Sequence, residues 1–175
     1  MSRHVSLNAR MAHDEQASAE IEVVLFEIAH PALEGPIRLS TDNTERLSSD
    51  PLTYGTRSAW RGADPLSDPY LWIIASAVVP DDNEDAPASS QIVLENLDAR
   101  ITEVLRSFTD QATVNMAVVL ASSPDLVEGE WLDLRLISAE GDASQIVLSL
   151  SREEIELERF PSGRMTRAKF PGLHL

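Results

Sequence analysis

The sequence predicts an α+β protein, mostly an antiparallel β-sandwich or open barrel with one packed α-helix. Two observations support this fold class. Roughly six to eight short apolar segments have strand-like composition or two-residue alternation, and turn residues separate them. A single segment, at about residues 97–108, instead has the apolar spacing of an amphipathic helix. Many short strands with one good helix are typical of a sheet with a helix packed on it.

The chain opens on a polar segment that leads into a strand. Residues 1–19 predict an arm or a short helix, because Asn8–Ala19 is compatible with a helix but has a weak apolar stripe. Glu20–Ala29 predicts the first convincing strand, since it is rich in Val, Ile and Phe. His30-Pro31 ends this strand because proline cannot donate to a ladder. After a Gly-Pro turn, Ile37–Ser40 predicts the return strand of a hairpin.

The middle of the chain alternates irregular and apolar stretches. Thr41–Pro69 predicts a long irregular loop, which is unusual inside a compact domain and often functional. Tyr70–Val79 predicts a buried strand, or a strand with a bulge. Asp81–Ser90 predicts an exposed acidic loop, and Gln91–Glu95 a short strand before the helix at 97–108.

The last third predicts further strands and a distinct tail. Glu153–Glu158 alternates acidic and apolar residues, as a half-buried edge strand does. Residues 159–175 contain Pro and Gly without any period, and therefore predict an extended C-terminal arm. Residues 20–158 would then form one domain. Its remaining predicted strands are Thr113–Ser122, Trp131–Ser138 and Gln145–Ser151, the last two joined by a hairpin turn.

Charge and composition exclude several classes of protein. The 175 residues include 29 acidic and 14 basic side chains and carry a net charge of -15, which would repel nucleic acid phosphates. Sequence-specific binding to DNA or RNA is therefore not expected. Because there is no cysteine, disulfides and thiolate chemistry are excluded. No secretory signal and no membrane-spanning apolar run is seen, so we expect synthesis in the cytoplasm and no membrane insertion.

A search for reactive groups predicts a protein that is not an enzyme. The four histidines have no metal-ligand spacing, and no serine lies in a nucleophile-elbow pattern. The acidic residues of the 81–85 stretch lack the spacing and the central glycine of a calcium loop. The sequence therefore predicts no catalytic residue, no cofactor and no metal ligand.

Four large aromatic residues leave two alternatives open. Trp60, Tyr70, Trp72 and Trp131 can pack in the core, or they can form a ligand pocket or an interface anchor. A soluble β-sandwich binding module for a small ligand or carbohydrate would place Trp60 or Trp72 in a concave pocket. A carboxylate-dependent hydrolase would need two acids across an aromatic-lined cleft, which an aromatic content of 5% makes less favourable.

Four segments in a fixed order resemble a family of phage and prophage minor tail proteins known as a domain of unknown function. The first is FEIAHPALEGPIRLSTDN, and the second is QIVLENLDARITEVLRS, a strand running into a helix. The third is ATVNMAVVLASSPDLVE, and the fourth is RFPSGRMTRAKFPGL. The resemblance spans Leu25 to Leu173, nearly the whole chain. The acidic stretch at 81–87 is particular to this sequence.

The resemblance implies a structural virion protein of the tail tip or baseplate of long-tailed phages. Its fold would be tail-tube-like, and no catalytic residue is carried over. Its partners would be other tail proteins, namely the distal tail ring, the hub and the tail tube. Copies of the chain would assemble into a ring of three- or six-fold symmetry. The candidate inter-subunit contacts are Tyr54, Trp60, Arg159, Phe160, Arg164, Arg167, Phe170 and Leu173.

Overall fold

A computed structural model describes residues 2–3, 5–78, 89–95, 110–141, 145–151 and 169. Within these ranges the chain is mostly β-strand, which confirms the β-rich part of the predicted fold class. The elements are β1 (Ser2–Arg3), α1 (Leu7–Asp14), β2 (Glu22–Ala29), β3 (Ile37–Ser40), β4 (Glu45–Ser49), β5 (Leu52–Thr56), β6 (Tyr70–Trp72), β7 (Ile74–Val78), β8 (Ser89–Glu95), β9 (Thr113–Leu120), β10 (Ser123–Gly141) and β11 (Gln145–Ser151). The predicted helix at 97–108, the acidic stretch 81–88, the strand at 153–158 and all of the arm except exposed Lys169 lie outside the described residues.

All described strands belong to one mixed sheet of 11 strands. The order is β4-β5-β6-β3-β2-β9-β10-β11-β8-β7, and β1 pairs with β10 outside this path. The neighbours are antiparallel, as predicted, except that β3 and β6 run parallel. The predicted hairpin of β2 and β3 is confirmed by its register, in which Glu27 lies opposite Arg38.

The sheet curls because strands distant in its order are adjacent in the chain. Only Ile73 separates β6 from β7, although β7 ends the path and β6 lies near its other end. The Ile73 backbone N–H donates to the Ser40 carbonyl at 2.9 Å and keeps this junction on β3. Since sheet neighbours lie about 4.8 Å apart, only a sheet rolled into a partial barrel can bring its ends together here.

Apolar clusters lie on both faces of the central strands. On β2, Phe26 and Ile28 point into a large cluster that gathers side chains from strands all around the sheet, and we call this the inner face. Val23 and Leu25 alternate with them and pack in a smaller cluster with Trp60 on the other, outer face. This alternation follows from the two-residue period of a strand. Because both faces of β2 are covered, its sequence reads as a nearly continuous apolar run.

The prediction of an irregular loop over Thr41–Pro69 is wrong, because this stretch contains the β4–β5 hairpin. Its turn holds a cis peptide between Asp50 and Pro51. The register is shifted between Arg46 and Ser48, so β4 is a bulged strand at the border of the sheet. Short, polar strands of this kind bury little surface, and their sequences therefore carry no clear alternation.

Two of the register shifts in the long strand β10 connect it to other parts of the fold. Asp133 has a φ of 58°, and the register with β9 shifts between Trp131 and Leu134. A second shift surrounds Glu128, whose buried carboxylate accepts a 2.6 Å hydrogen bond from the Ser6 backbone N–H. Since Ser6 also caps α1 through its side chain, this bulge ties the N-terminal helix to the sheet.

Candidate functional site

A buried ionic cluster lies on the outer face beside the smaller apolar cluster. The strand registers place Glu27 of β2 between Arg38 of β3 and Asn115 of β9. All three side chains are buried, although Glu and Arg are almost never fully buried without a partner. Their contacts therefore decide whether the cluster stabilises the fold or takes part in chemistry.

The Glu27 carboxylate is held by three donors from three directions. Its Oε2 accepts from Arg38 Nη2 at 3.2 Å, and its Oε1 accepts from Arg61 Nε at 3.2 Å. The same Oε1 accepts from Asn115 Nδ2 at 3.1 Å. Arg38 also pairs with Asp68 through Nη1. Each full charge thus faces a charge of opposite sign, which is the condition for burying ions at tolerable cost.

Asn115 links this cluster to the β10 bulge. Its side-chain oxygen accepts from the Asp133 backbone N–H at 2.9 Å, while its amide nitrogen donates to Glu27. Without this acceptor, the N–H that the bulge frees from the ladder would lack a partner. One buried amide therefore fixes both the bulge and the carboxylate.

Tyr70 closes the cluster on the side of β6. The Arg38 guanidinium lies 6.0 Å from the Tyr70 ring centroid, and the Tyr70 hydroxyl donates to the Trp60 carbonyl at 2.8 Å. Burial, followed by the negative charge of Glu27, raises the pKa of Tyr70 to about 12. The phenol is thus a neutral structural donor at physiological pH.

The cluster fastens the segment 58–69, which we call the strap, across the outer face. Arg61 and Asp68, at separate points of the strap, are the residues that reach Glu27 and Arg38. At its start, Ser58 Oγ donates to the Pro124 carbonyl at 2.8 Å, and the Ala59 N–H donates to Asp125 Oδ1 at 2.6 Å. The ion pairs of Glu27 with Arg61 and of Arg38 with Asp68 hold the strap in place. The cluster therefore acts by positioning the strap.

The strap presents an exposed leucine on a well-bonded turn. Leu66 is 84% exposed, and its backbone N–H donates to Asp64 Oδ1 at 2.9 Å. Asp64 Oδ2 accepts from Ser67 Oγ at 2.7 Å, and the Asp64 carbonyl accepts from the Asp68 N–H at 2.9 Å. The hydrogen bonds that the Asp64 carboxylate accepts lower its pKa, first the bond from the Leu66 N–H and then the bond from Ser67 Oγ. We call Leu66 with Asp64 and Asp68 the knob.

A second exposed surface with apolar side chains runs over β5 and β6. Leu52 is 59% exposed and Trp72 38%. Tyr54 is half-buried, and exposed Arg46 of β4 lies opposite it. We call Arg46, Leu52, Tyr54 and Trp72 the aromatic strip.

The strand registers explain why the strip is continuous. Thr56 lies opposite Tyr70 and Gly55 opposite Leu71, so the next step brings Tyr54 opposite Trp72. Leu52 follows Tyr54 two residues away on the same face of β5. Trp, Tyr and Arg are the residues most enriched among those that dominate binding at protein interfaces. The strip therefore has the composition of a docking surface.

The predicted contact residues fall into three groups. Tyr54 lies in the strip, but Trp60 is buried in the outer apolar cluster at 8% exposure, where its ring packs 5.9 Å from Tyr70. Little of the Trp60 indole is therefore accessible to a partner protein. The remaining six predicted contacts lie outside the described residues: Arg159, Phe160, Arg164, Arg167, Phe170 and Leu173. Sequence reasoning did not identify Arg46, Leu52 or Leu66, because exposure of a single side chain leaves no signal in the sequence.

Comparisons with known proteins add no relative to this picture. The chain matches no model of a known protein family. A search of curated proteins gave no match either.

Within the described ranges, His, Asp and Glu side chains form no group of three or more that could hold a metal ion. No helix in the part of the chain that the structure describes is long and apolar enough to cross a membrane.

Proposed function

We propose that the protein is a non-enzymatic structural subunit of a phage tail tip or baseplate. It assembles with copies of itself and with neighbouring tail proteins near the distal tail ring and the hub. Support comes from the resemblance of its four segments to phage minor tail proteins. The β-rich architecture agrees with the tail-tube-like fold that this resemblance implies.

The observation that carries the assembly role is the aromatic strip. Leu52 and Trp72 expose large apolar side chains next to Tyr54 and Arg46. Contiguous apolar surface rimmed by polar groups marks sites where proteins bind one another. The buried charges of Glu27 and Arg38 beside it hold the strap through Arg61 and Asp68. The outer face is thus built to dock a partner.

The net charge suits a protein that meets packaged DNA. At -15 per copy, a ring of subunits would present a strongly negative field. DNA passing such a ring would not adhere to its wall, because the phosphates are repelled. The same charge also aids solubility, which makes it supporting evidence only.

Electron microscopy of purified virions tests this proposal. The full chain should be present in particles by mass spectrometry, and antibodies against it should label the distal end of the tail. A strain in which the gene is deleted should produce heads without functional tails, and expression in trans should restore them. Particles that lack the protein and are still infectious would refute the assignment.

A second candidate function is binding of a small ligand or carbohydrate. Half-buried Tyr54 and exposed Trp72 on adjacent strands favour it, because sugar rings stack on accessible aromatic rings. Titration with a glycan panel, followed by tryptophan fluorescence, separates the two functions. A saturable change that is lost in Trp72→Ala, with no protein in the virions, would favour ligand binding.

A further inference from the structure

One chain carries two exposed surfaces that fit each other. The knob offers Leu66 beside the exposed Asp64 carboxylate, while the Asp68 carboxylate is paired with Arg38. The strip offers apolar and aromatic side chains beside the guanidinium of Arg46. An apolar side chain beside an acidic group is complementary to an apolar surface beside a basic group. The apolar surfaces can pack together, and the two charges have opposite sign.

The two surfaces do not cover each other within one chain. Leu66 and Leu52 are 84% and 59% exposed in the same structure. Strap bonds to β2, β3 and β10 fix the position of the knob, and the strip lies on β4 to β6. Contact between them therefore requires a second molecule.

We infer that the aromatic strip of one copy binds the Leu66 knob of a second copy of this chain. This inference rests on the proposed assembly role and names the surfaces through which copies meet. The contact joins different patches of the two molecules, and contacts of this kind generate rings when the rotation between subunits closes.

The rigidity of the knob supports its use as an anchor. Asp64 makes three hydrogen bonds within the turn, and Asp68 is fixed to buried Arg38. A side chain that is already held in its bound position loses little conformational entropy on binding. This also gives the buried ionic cluster a purpose, because it holds the strap that carries Leu66.

Three matched substitutions of leucine by aspartate test the contact in the full chain. Leu66→Asp removes the anchor, and Leu52→Asp sets a negative charge against the acidic knob. Leu7→Asp changes a leucine of similar exposure, 72%, on α1 and outside both surfaces. Sedimentation velocity over a range of concentrations should show assembly of the wild type and of Leu7→Asp. Leu66→Asp and Leu52→Asp should weaken association by about thirtyfold or more, as loss of a binding hot spot does.

A mixture of the two defective variants gives the sharper test. Leu52→Asp retains an intact knob, and Leu66→Asp retains an intact strip. An equimolar mixture should therefore form a dimer with one copy of each, although neither variant associates alone. Circular dichroism melts establish that both variants are folded. A monomeric wild type, or a mixture that stays monomeric, would overturn the inference, and neither result would affect detection of the protein in virions.

Discussion

At the scale of single residues, Glu27 has the most demanding environment in the described structure. Its side chain is only 6% exposed, and that of its partner Arg38 only 8%. Removing one member of a buried pair leaves the other charge uncompensated, which is far more costly than the net value of the pair. The surrounding fold depends on this carboxylate remaining bonded to Arg38 and Arg61.

Glu27→Gln should therefore lower the free energy of unfolding by about 3 kcal/mol. The amide keeps the size of the side chain but leaves Arg38 with Asp68 as its remaining acidic partner. Urea denaturation of the full chain measures the loss. In the double variant with Arg38→Met, the loss should be smaller than the sum of the two single losses, because the uncompensated charge is gone. Strict additivity would contradict the pairing.

The raised pKa of Tyr70 predicts that the folded protein loses stability in strong alkali. Its pKa is raised to about 12 in the folded protein, above the usual value of 10. The neutral phenol thus contributes stability that is complete below about pH 10 and is lost as the pH rises through about 12. Denaturant titrations at stepped pH should show this decline. Tyr70→Phe, which has no ionisable group there, should be less stable at neutral pH but should lose less stability over the same alkaline range.

At the scale of elements, the pairing of β5 with β6 depends on a residue without a side chain. A Cβ atom at Gly55 would lie 2.0 Å from the Tyr70 carbonyl oxygen, which is backbone and cannot move aside alone. This close approach lets β5 join the sheet next to β6, and it thereby brings Tyr54 beside Trp72. Gly55 is thus a condition for the aromatic strip.

Gly55→Ala should destabilise the protein by about 2–3 kcal/mol, as overpacking of a tight contact does. Gly35→Ala is the matched control, because an added Cβ there meets nothing within 4 Å. It should be neutral or slightly stabilising, since alanine restricts the unfolded chain. Thermal melts of both variants provide the comparison. Equal melting temperatures of the Gly55→Ala and Gly35→Ala variants would show that β5 and β6 can move apart without loss of stability.

The elements that could be predicted from sequence are those with dense apolar patterns. β2 and β9 carry runs of Val, Ile, Leu and Met because both of their faces are buried. β4 and β5 were missed because each is short and mostly polar. The Glu27–Arg38 pair could be predicted from the sequence, since the turn of the predicted hairpin fixes the register of β2 with β3. The aromatic strip could not be predicted, because it depends on the pairing of β5 with β6, and a long connection separates these strands in the chain.

At the scale of the whole molecule, the strongest long-range force on assembly is repulsion between copies. Each chain carries -15, while the proposed knob-to-strip contact brings together only a few charges. Repulsion acts over the Debye length, about 30 Å at 0.01 M salt and about 8 Å at 0.15 M. Close contacts between partly desolvated groups are screened much less.

Association should therefore strengthen as the salt concentration rises from 0.01 M to 0.15 M. Sedimentation velocity at fixed protein concentration measures this change. Neutralising four acids of the 81–85 stretch (Asp81→Asn, Asp82→Asn, Glu84→Gln and Asp85→Asn) lowers the net negative charge by four and should flatten the salt dependence. If salt instead weakens association in both proteins, local ion pairs outweigh the net charge, and Arg46→Gln should then remove most of the effect.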